Sequence, residues 1–361
     1  MTRLLIQPGT GIAPLLKGIE GARETLHIVI FRFDRGEIEA ALKRAVRRGV
    51  FVHALVAHTS AGQGGASTLR KLEMRLLDDG VTVARTADDL VRYHSKVMIV
   101  DQSLLYLLGF NYTYIDIDRS RGFGIVTDDR TWVREAEKLF SADTMRQPYL
   151  PGCDTFLVSP GNSRRQLMAL LSAAKKQLLI YDGKLSDPDV MRLLAAKVRD
   201  RVDVRVIGTV GKRAVGVRVA PLSIRHHAQA IVRDGEQLFL GSQSLRSLEL
   251  DARREVGVLI DDPEIVRQVV ATFEADWSKR DGAQHAVPAA PADVDVAAAE
   301  SAEVPNGDDL SPAMSAQIVK SSVKEAIKDI VLETLPQTRA VAPLKEAVKD
   351  AAKEALRELA L

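Results

Sequence analysis

Two stretches of this 361-residue chain carry residue types suited to nucleophilic and acid–base chemistry. In YHSKVMIVD (93–101), His94 is followed by Lys96 and Asp101; in HHAQAIVRD (226–234), His227 is followed by Gln229 and Asp234. An imidazole can attack an electrophile and shuttle protons near neutral pH, and an ammonium group stabilises negative charge developing on oxygen. A strand through either stretch places His94 and Lys96, or His227 and Gln229, on one face, because strand side chains alternate. Downstream, LGFN (108–111) and GSQS (241–244) are small-residue runs past which an anion can approach the backbone. Asn111, or Ser242 and Ser244, would there donate hydrogen bonds to oxygen.

The two stretches belong to a longer repeat. Shifting the chain by 133 positions lays 93–129 over 226–262 without a gap, and FSAD (140–143) over FEAD (273–276). Upstream, LHIVIFRF and VFVHALVA read as buried strands flanking GEIEAALKRAVRRGV, a helix with Ile38, Ala41, Leu42, Ala45 and Val46 on one face and a stop at Gly49. QLLIYDG, DPDVMRLLAAKVRD and VDVRVIG repeat that order in the second half. Strand and helix in alternation imply α/β units, 1–150 and 151–281, each a sheet covered by helices.

Composition changes after 281. Residues 282–315 are rich in Ala, Pro and acidic residues and read as a flexible linker. Residues 316–361 carry two amphipathic patterns, one through Val319, Val323, Ile327, Ile330 and Val331, the other through Leu344, Val348, Ala352 and Leu359. Such a helical tail suits docking on the body or self-association through the helices, or peripheral membrane contact, which its acidic balance and lack of Trp and Phe favour less. The net charge of +2 divides into 8 Lys/Arg against 13 Asp/Glu in 282–361 and 42 against 35 before it. The body's modest positive field suits an anionic substrate but is too small to mark a nucleic-acid binder. One cysteine, Cys153, excludes an intrachain disulfide. With no signal-like or membrane-spanning run, the expected location is cytoplasmic, with membrane-peripheral attachment left open.

His94–Lys96–Asp101 and the following LGFN, echoed at His227, Asp234 and GSQS, resemble the phospholipase D superfamily, whose signature is H-x-K-x4-D, six residues, then G-S-x-N, twice in one chain. GSQSLRSLELDARREVG and FNYTYIDIDRSRGFG are similar to the bacterial cardiolipin-synthase-like branch. The resemblance implies two α/β repeats packed about a pseudo-two-fold axis with both histidines in one cleft. It implies that His94 attacks phosphorus to form a phosphohistidine while His227 serves as acid and base, though the reverse assignment stays open. It implies no cofactor, with Lys and Asn side chains supplying the charge stabilisation. His53 and His58 lack ligand-like spacing, so no metal is expected either.

Departures from the pattern matter as much. The second half has Gln229 for the lysine and Ser244 for the asparagine. Glu255 stands where family members carry a glutamate expected to orient the histidine of its own half, here His227, while the first half has Gly122 there; Asp118 is the candidate to orient His94 instead. Losing one cationic donor costs about 3 kcal/mol of transition-state stabilisation, part of which Gln229, Arg92, Arg225 or the run GKRAVGVRV could recover. Asp101 and Asp234, though motif members, suit a turn-forming role. Trp132 and Trp277 read as packing anchors, and GQGGAS (62–67) as a loop without the Lys-Ser/Thr pair of a phosphate cradle. The expected function is hydrolysis or transfer on a phospholipid or other phosphodiester substrate. An endonuclease of the same superfamily and a non-catalytic phosphate-binding interaction protein are the competing readings, nucleic acid being the less favoured partner.

Overall fold

The computed structural model describes residues 2–58, 65–211 and 216–279, with side chains at 65–67 excepted. The expected linker at 282–315, the tail at 316–361 and parts of GQGGAS and GKRAVGVRV lie outside the described residues.

The first repeat runs β1 (Thr2–Gln7), α1 (Ala13–Gly21), β2 (Thr25–Ile30), α2 (Gly36–Arg47), β3 (Phe51–Val56), α3 (Gly65–Asp78), β4 (Thr82–Arg85), β5 (Arg92–Tyr93), β6 (Val97–Val100), β7 (Leu104–Leu108), α4 (Tyr114–Asp118), β8 (Ser120–Thr127) and α5 (Arg130–Met145). The second runs β9 (Phe156–Ser159), α6 (Ser163–Ser172), β10 (Gln177–Leu185), α7 (Pro188–Arg199), β11 (Asp203–Val210), β12 (Arg218–Ala220), β13 (Arg225–His226), β14 (Gln229–Arg233), β15 (Gln237–Gly241), α8 (Ser247–Asp251), β16 (Arg253–Ile260) and α9 (Pro263–Ser278). Among the described residues, the helix expected over 36–47, the one over 188–199 and the strands flanking them appear where the periodicity places them. Ile38, Ala41, Leu42 and Ala45 are buried on α2, and Gly49 follows at φ +89°, a left-handed position that favours glycine. Asp187 caps α7 by accepting from the Asp189 and Val190 N–H groups, with Pro188 at its first turn.

Each repeat builds one mixed sheet, β1-β8-β7-β6-β2-β3-β4 and β12-β11-β10-β14-β15-β16, with β9 also on β16. Both sheet faces are buried, which is why the strands read as apolar runs rather than alternating ones. On β6, Val97 and Ile99 enter one apolar cluster while Met98 and Val100 enter another. The first cluster joins the inner faces of both sheets with α5 and α9. The outer faces are covered by α1–α3 in the first repeat and by α6 and α7 in the second.

The two repeats exchange short strands. β5 adds in parallel to β16 of the second repeat, and β13 adds in parallel to β8 of the first. Each histidine stretch therefore enters the cleft along the other repeat's sheet. Reciprocal ion pairs reinforce the exchange. Arg121 binds Asp276 at 2.7 and 2.9 Å and donates to the Gln7 carbonyl at 2.7 Å. At the positions 133 residues away, Arg254 binds Asp143 at 3.0 Å and donates to the Ser159 carbonyl at 3.3 Å. Contacts that recur with the partners exchanged are those a pseudo-two-fold axis produces. The repeats also meet at Gly109, where a Cβ would lie 2.7 Å from the Gly241 carbonyl oxygen and 2.9 Å from that of Phe123.

Candidate active site

His94 follows β5, and its N–H donates to the Arg254 carbonyl at 2.8 Å; His227 follows β13, and its N–H donates to the Arg121 carbonyl at 3.0 Å. Neither histidine lies within the strand that follows it, since β6 begins at Val97 and β14 at Gln229. The backbone anchors are again exchanged between repeats, so both imidazoles are presented at the seam.

The carboxylates are exchanged as well, which corrects the sequence expectation for Glu255. Its two oxygens each lie 3.0 Å from Nδ1 of His94, in the other repeat, rather than serving His227. Nor does Asp118 orient His94: it accepts from Arg35. His227 Nδ1 instead lies 3.5 Å from Oδ1 of Asp116, a first-repeat residue on the inner face of α4. Asp116 Oδ2 accepts from the Asn111 backbone N–H at 3.0 Å and from Asn111 Nδ2 at 2.7 Å, fixing both the asparagine and the loop that carries it. The equivalent Glu249 accepts from the Ser244 N–H at 2.8 Å. Sequence reasoning missed Asp116, yet an acidic residue at both 116 and 249 in the aligned segment was a visible signal.

Lys96 is 1% exposed, and its Nζ lies 2.9 Å from Nε2 and 3.0 Å from Nδ1 of His94. Phe31 packs edge-on against His94 at 4.5 Å between ring centroids, with Arg92 and Lys96 over its face. Burial brings the Lys96 ammonium down to about 7, against the pull of Glu255 and Asp116. Burial, then the Lys96 and His227 charges, hold the His94 imidazole well below its usual range. The same desolvation takes His227 down to about 4 despite Asp116. Burial pushes the Glu255 carboxyl up, opposed first by Lys96. Asp116, although burial raises it, is brought down to about 2 by His227, Arg225 and Asn111. His227 acts electrostatically on His94, and Lys96 on His227, as neighbours in one cleft must.

The other expected site residues divide clearly. Asp101 accepts from the N–H groups of Arg23, Glu24 and Thr25, and Asp234 from those of Lys175, Lys176 and Gln177. They staple strand starts at the far ends of β6 and β14, and the structure does not bring them to the histidines. Ser242 accepts from the Val256 N–H at 3.1 Å, and its hydroxyl hydrogen-bonds Glu255, so it steadies the carboxylate behind His94. Ser244 Oγ donates to Asp182 at 2.6 Å. Arg225 donates to Asp116 Oδ1 at 2.6 Å, supplying a cation on the second-repeat side where the lysine is missing. Gln229 Oε1 is buried without a hydrogen-bond partner among the described residues.

Among the described residues, no group of three or more His, Cys, Asp or Glu side chains could hold a metal ion, and no helix is long and apolar enough to cross a membrane.

Residues 15–144 match a family model described as "Cardiolipin synthase, PLD-like domain". Polyphosphate kinase from Porphyromonas gingivalis is similar in structure, with 16% identity and a TM-score of 0.65 over 77% of this chain and 47% of that one. The chain thus spans about half the length of that enzyme. Phosphatidylserine synthase from Haemophilus influenzae Rd KW20 has a TM-score of 0.58 at 11% identity, over 77% of this chain and 86% of that one. Nuc, a phospholipase D family member from Salmonella typhimurium, matches at 19% identity and a TM-score of 0.36 over 41% of this chain and 95% of its own. No curated protein matches the chain by sequence.

Proposed function

Since the chain belongs to the phospholipase D superfamily, we propose that it is a phosphodiesterase or phosphatidyltransferase acting on a phospholipid-type phosphodiester through a phosphohistidine intermediate. The observation that carries this reading is the reciprocal pairing of His94 with Glu255 and His227 with Asp116 around one buried lysine.

A phosphodiester entering the cleft draws the Lys96 ammonium from Nε2 of His94 onto a non-bridging oxygen, which frees the imidazole lone pair. Nε2 then attacks phosphorus while the Nδ1 proton faces Glu255, stabilising the cation that forms. The anionic phosphate raises the proton affinity of His227, so it arrives protonated at the leaving alcohol and later takes a proton from water or an acceptor alcohol. Asp116 orients that ring from its Nδ1 side.

Two features favour a lipid over a nucleic acid. The family model is named for cardiolipin synthase, and one neighbour in fold is a phosphatidylserine synthase. The outer face of α4, whose inner face holds Asp116, exposes Tyr114 by 50% and Ile115 by 45%, an apolar rim suited to acyl chains or an interface. Contact with a membrane surface would use this rim.

The test is incubation with vesicles of several phospholipids, and with single- and double-stranded DNA, in EDTA. Lipid turnover, with acid-labile phosphate trapped on His94 and lost in His94→Ala, supports the reading. Turnover of DNA alone, or of no diester, overturns it.

A further inference from the structure

On the His94 side two carboxylates divide two tasks. Glu255 faces Nδ1 of His94 with both oxygens at 3.0 Å, while Glu249 holds the Ser244 N–H at 2.8 Å and pairs with Arg253 at 3.1 Å. On the His227 side the offset of the repeats puts Gly122 at the position of Glu255, Asp116 at that of Glu249 and Ser120 at that of Arg253. Of the two aligned acids only Asp116 remains, and the arginine of its own repeat is replaced by serine.

Strand exchange supplies another arginine. β13 runs beside β8 with Arg225 opposite Ser120, and Asp116 projects from α4 just upstream of that serine. The ladder continues through the His227 N–H to the Arg121 carbonyl, so Arg225 and His227 alternate onto the same side of an extended stretch. Both meet one oxygen. Arg225 Nη1 donates to Asp116 Oδ1 at 2.6 Å and to Ser120 Oγ at 3.3 Å, while Nδ1 of His227 stands 3.5 Å from the same Oδ1. The arginine contact is a short, charge-assisted hydrogen bond, and the imidazole contact is at the edge of hydrogen-bond range. Asp116 is buried, and its Oδ2 is held by the Asn111 N–H and Nδ2, which fixes the carboxylate between its two suitors.

We propose that Arg225 is a positioning residue for His227: by occupying Asp116 Oδ1 it withholds that carboxylate from close pairing with the imidazole. Its bearing on catalysis rests on the phosphohistidine reading above. Burial lowers the His227 imidazole to about 4, with Lys96, Arg225 and Arg32 adding to the fall and Asp116 opposing it. His94 and His226 also feel the His227 charge. A guanidinium keeps its charge throughout the working pH range, so in the empty cleft Asp116 stays with Arg225 and the imidazole stays neutral. The two histidines are thereby made unequal. His94 has a close carboxylate partner, as suits a ring that must carry positive charge once phosphorylated. His227 has a shared one, as suits a ring that gains and gives up a proton in turn.

NMR titration of the imidazole nitrogens in the full chain, with His227 assigned by His227→Asn, tests this without any substrate. Arg225→Gln should raise the His227 midpoint by about one pH unit or more, a tenfold gain in proton affinity. Arg225→Lys, which keeps the charge, should produce less than about half that shift. The Arg225→Gln shift should likewise fall below about half in an Asp116→Asn background, where the shared anion is gone. The Arg225 side chain is 42% exposed, so neither replacement opens the core. A His227 midpoint unmoved in Arg225→Gln, or moved equally with and without the Asp116 carboxylate, overturns the proposal. A midpoint that rises in a protein turning over no diester sustains the role of Arg225 and removes the phosphohistidine reading. Turnover with an unmoved midpoint does the reverse.

Discussion

Both carboxylate oxygens of Glu255 lie 3.0 Å from Nδ1 of His94, a residue of the opposite repeat. A glutamate that seemed to belong to the second histidine thus serves the first, and neither half of the chain can assemble a working imidazole by itself. Asp116 returns the arrangement in the other direction, at 3.5 Å from His227.

The two carboxylates should fail differently. On the proposed mechanism, Glu255→Gln leaves His94 without its orienting anion, and a loss of about 10³-fold in kcat is expected for every diester, by analogy with orienting carboxylates elsewhere. On the same mechanism, Asp116→Asn leaves His227 less often protonated at the leaving group, because the Asp116 anion raises its proton affinity, so the loss should be about 10²-fold on alkyl diesters and under about fivefold on bis(p-nitrophenyl) phosphate, whose leaving group needs no proton. Steady-state rates on both substrate types check this; equal losses in Asp116→Asn would assign His227 another role.

Ligand binding should take up protons. In the empty cleft Lys96 titrates at about 7, so at pH 8 it is mostly neutral. A bound phosphate anion restores the charge by raising its proton affinity. Calorimetry of inorganic phosphate binding in buffers of different ionisation enthalpy should report uptake approaching one proton per site at pH 8 beyond that of phosphate itself. Lys96→Met should abolish that increment.

Stability should fall in mild acid. His227 and His226 are each lowered from 6.5 to about 4. Between those values the unfolded chain binds more protons, so stability present above pH 6.5 is lost as pH drops toward 4. His227 alone accounts for up to about 3 kcal/mol. Urea midpoints measured from pH 7 to 4 should decline less steeply in His227→Asn.

The buried lysine works in the opposite pH range. Its lowered titration means that the unfolded chain binds more protons between pH 7 and 10.5, so this group's contribution to stability rises with pH there. Lys96→Met should raise stability by about 3 kcal/mol at pH 7 while destroying activity. That gain should shrink as pH approaches 10.

The inter-repeat clamps should behave as buried ion pairs. Asp276 is nearly inaccessible and serves both Arg121 and Tyr181. Asp276→Ala strands a guanidinium beside the strand that anchors His227 and should cost about 3–5 kcal/mol, whereas Arg121→Met with Asp276→Leu should cost less than the single change. A double-mutant cycle by urea unfolding reads the difference.

The repeat offset of 133, the α/β order, the residues forming α2 and α7, and the pair His94 and His227 were all legible in the chain, because hydrophobic period, caps and recurring residue types are local properties. Local pattern also sufficed for Asp101 and Asp234 as turn formers, now seen stapling the starts of β2 and β10. The assignment of carboxylates to histidines was not legible. An offset alignment compares each residue with its own repeat, whereas β5 and β13 cross to the opposite sheets and carry His94 to Glu255 and His227 to Asp116. Nor does a sequence tell that Ser244 has turned its proton toward Asp182, since that depends on two strands in register. Residue types and spacing thus determined what chemistry the chain can do; only strand exchange between the repeats decided which groups do it together.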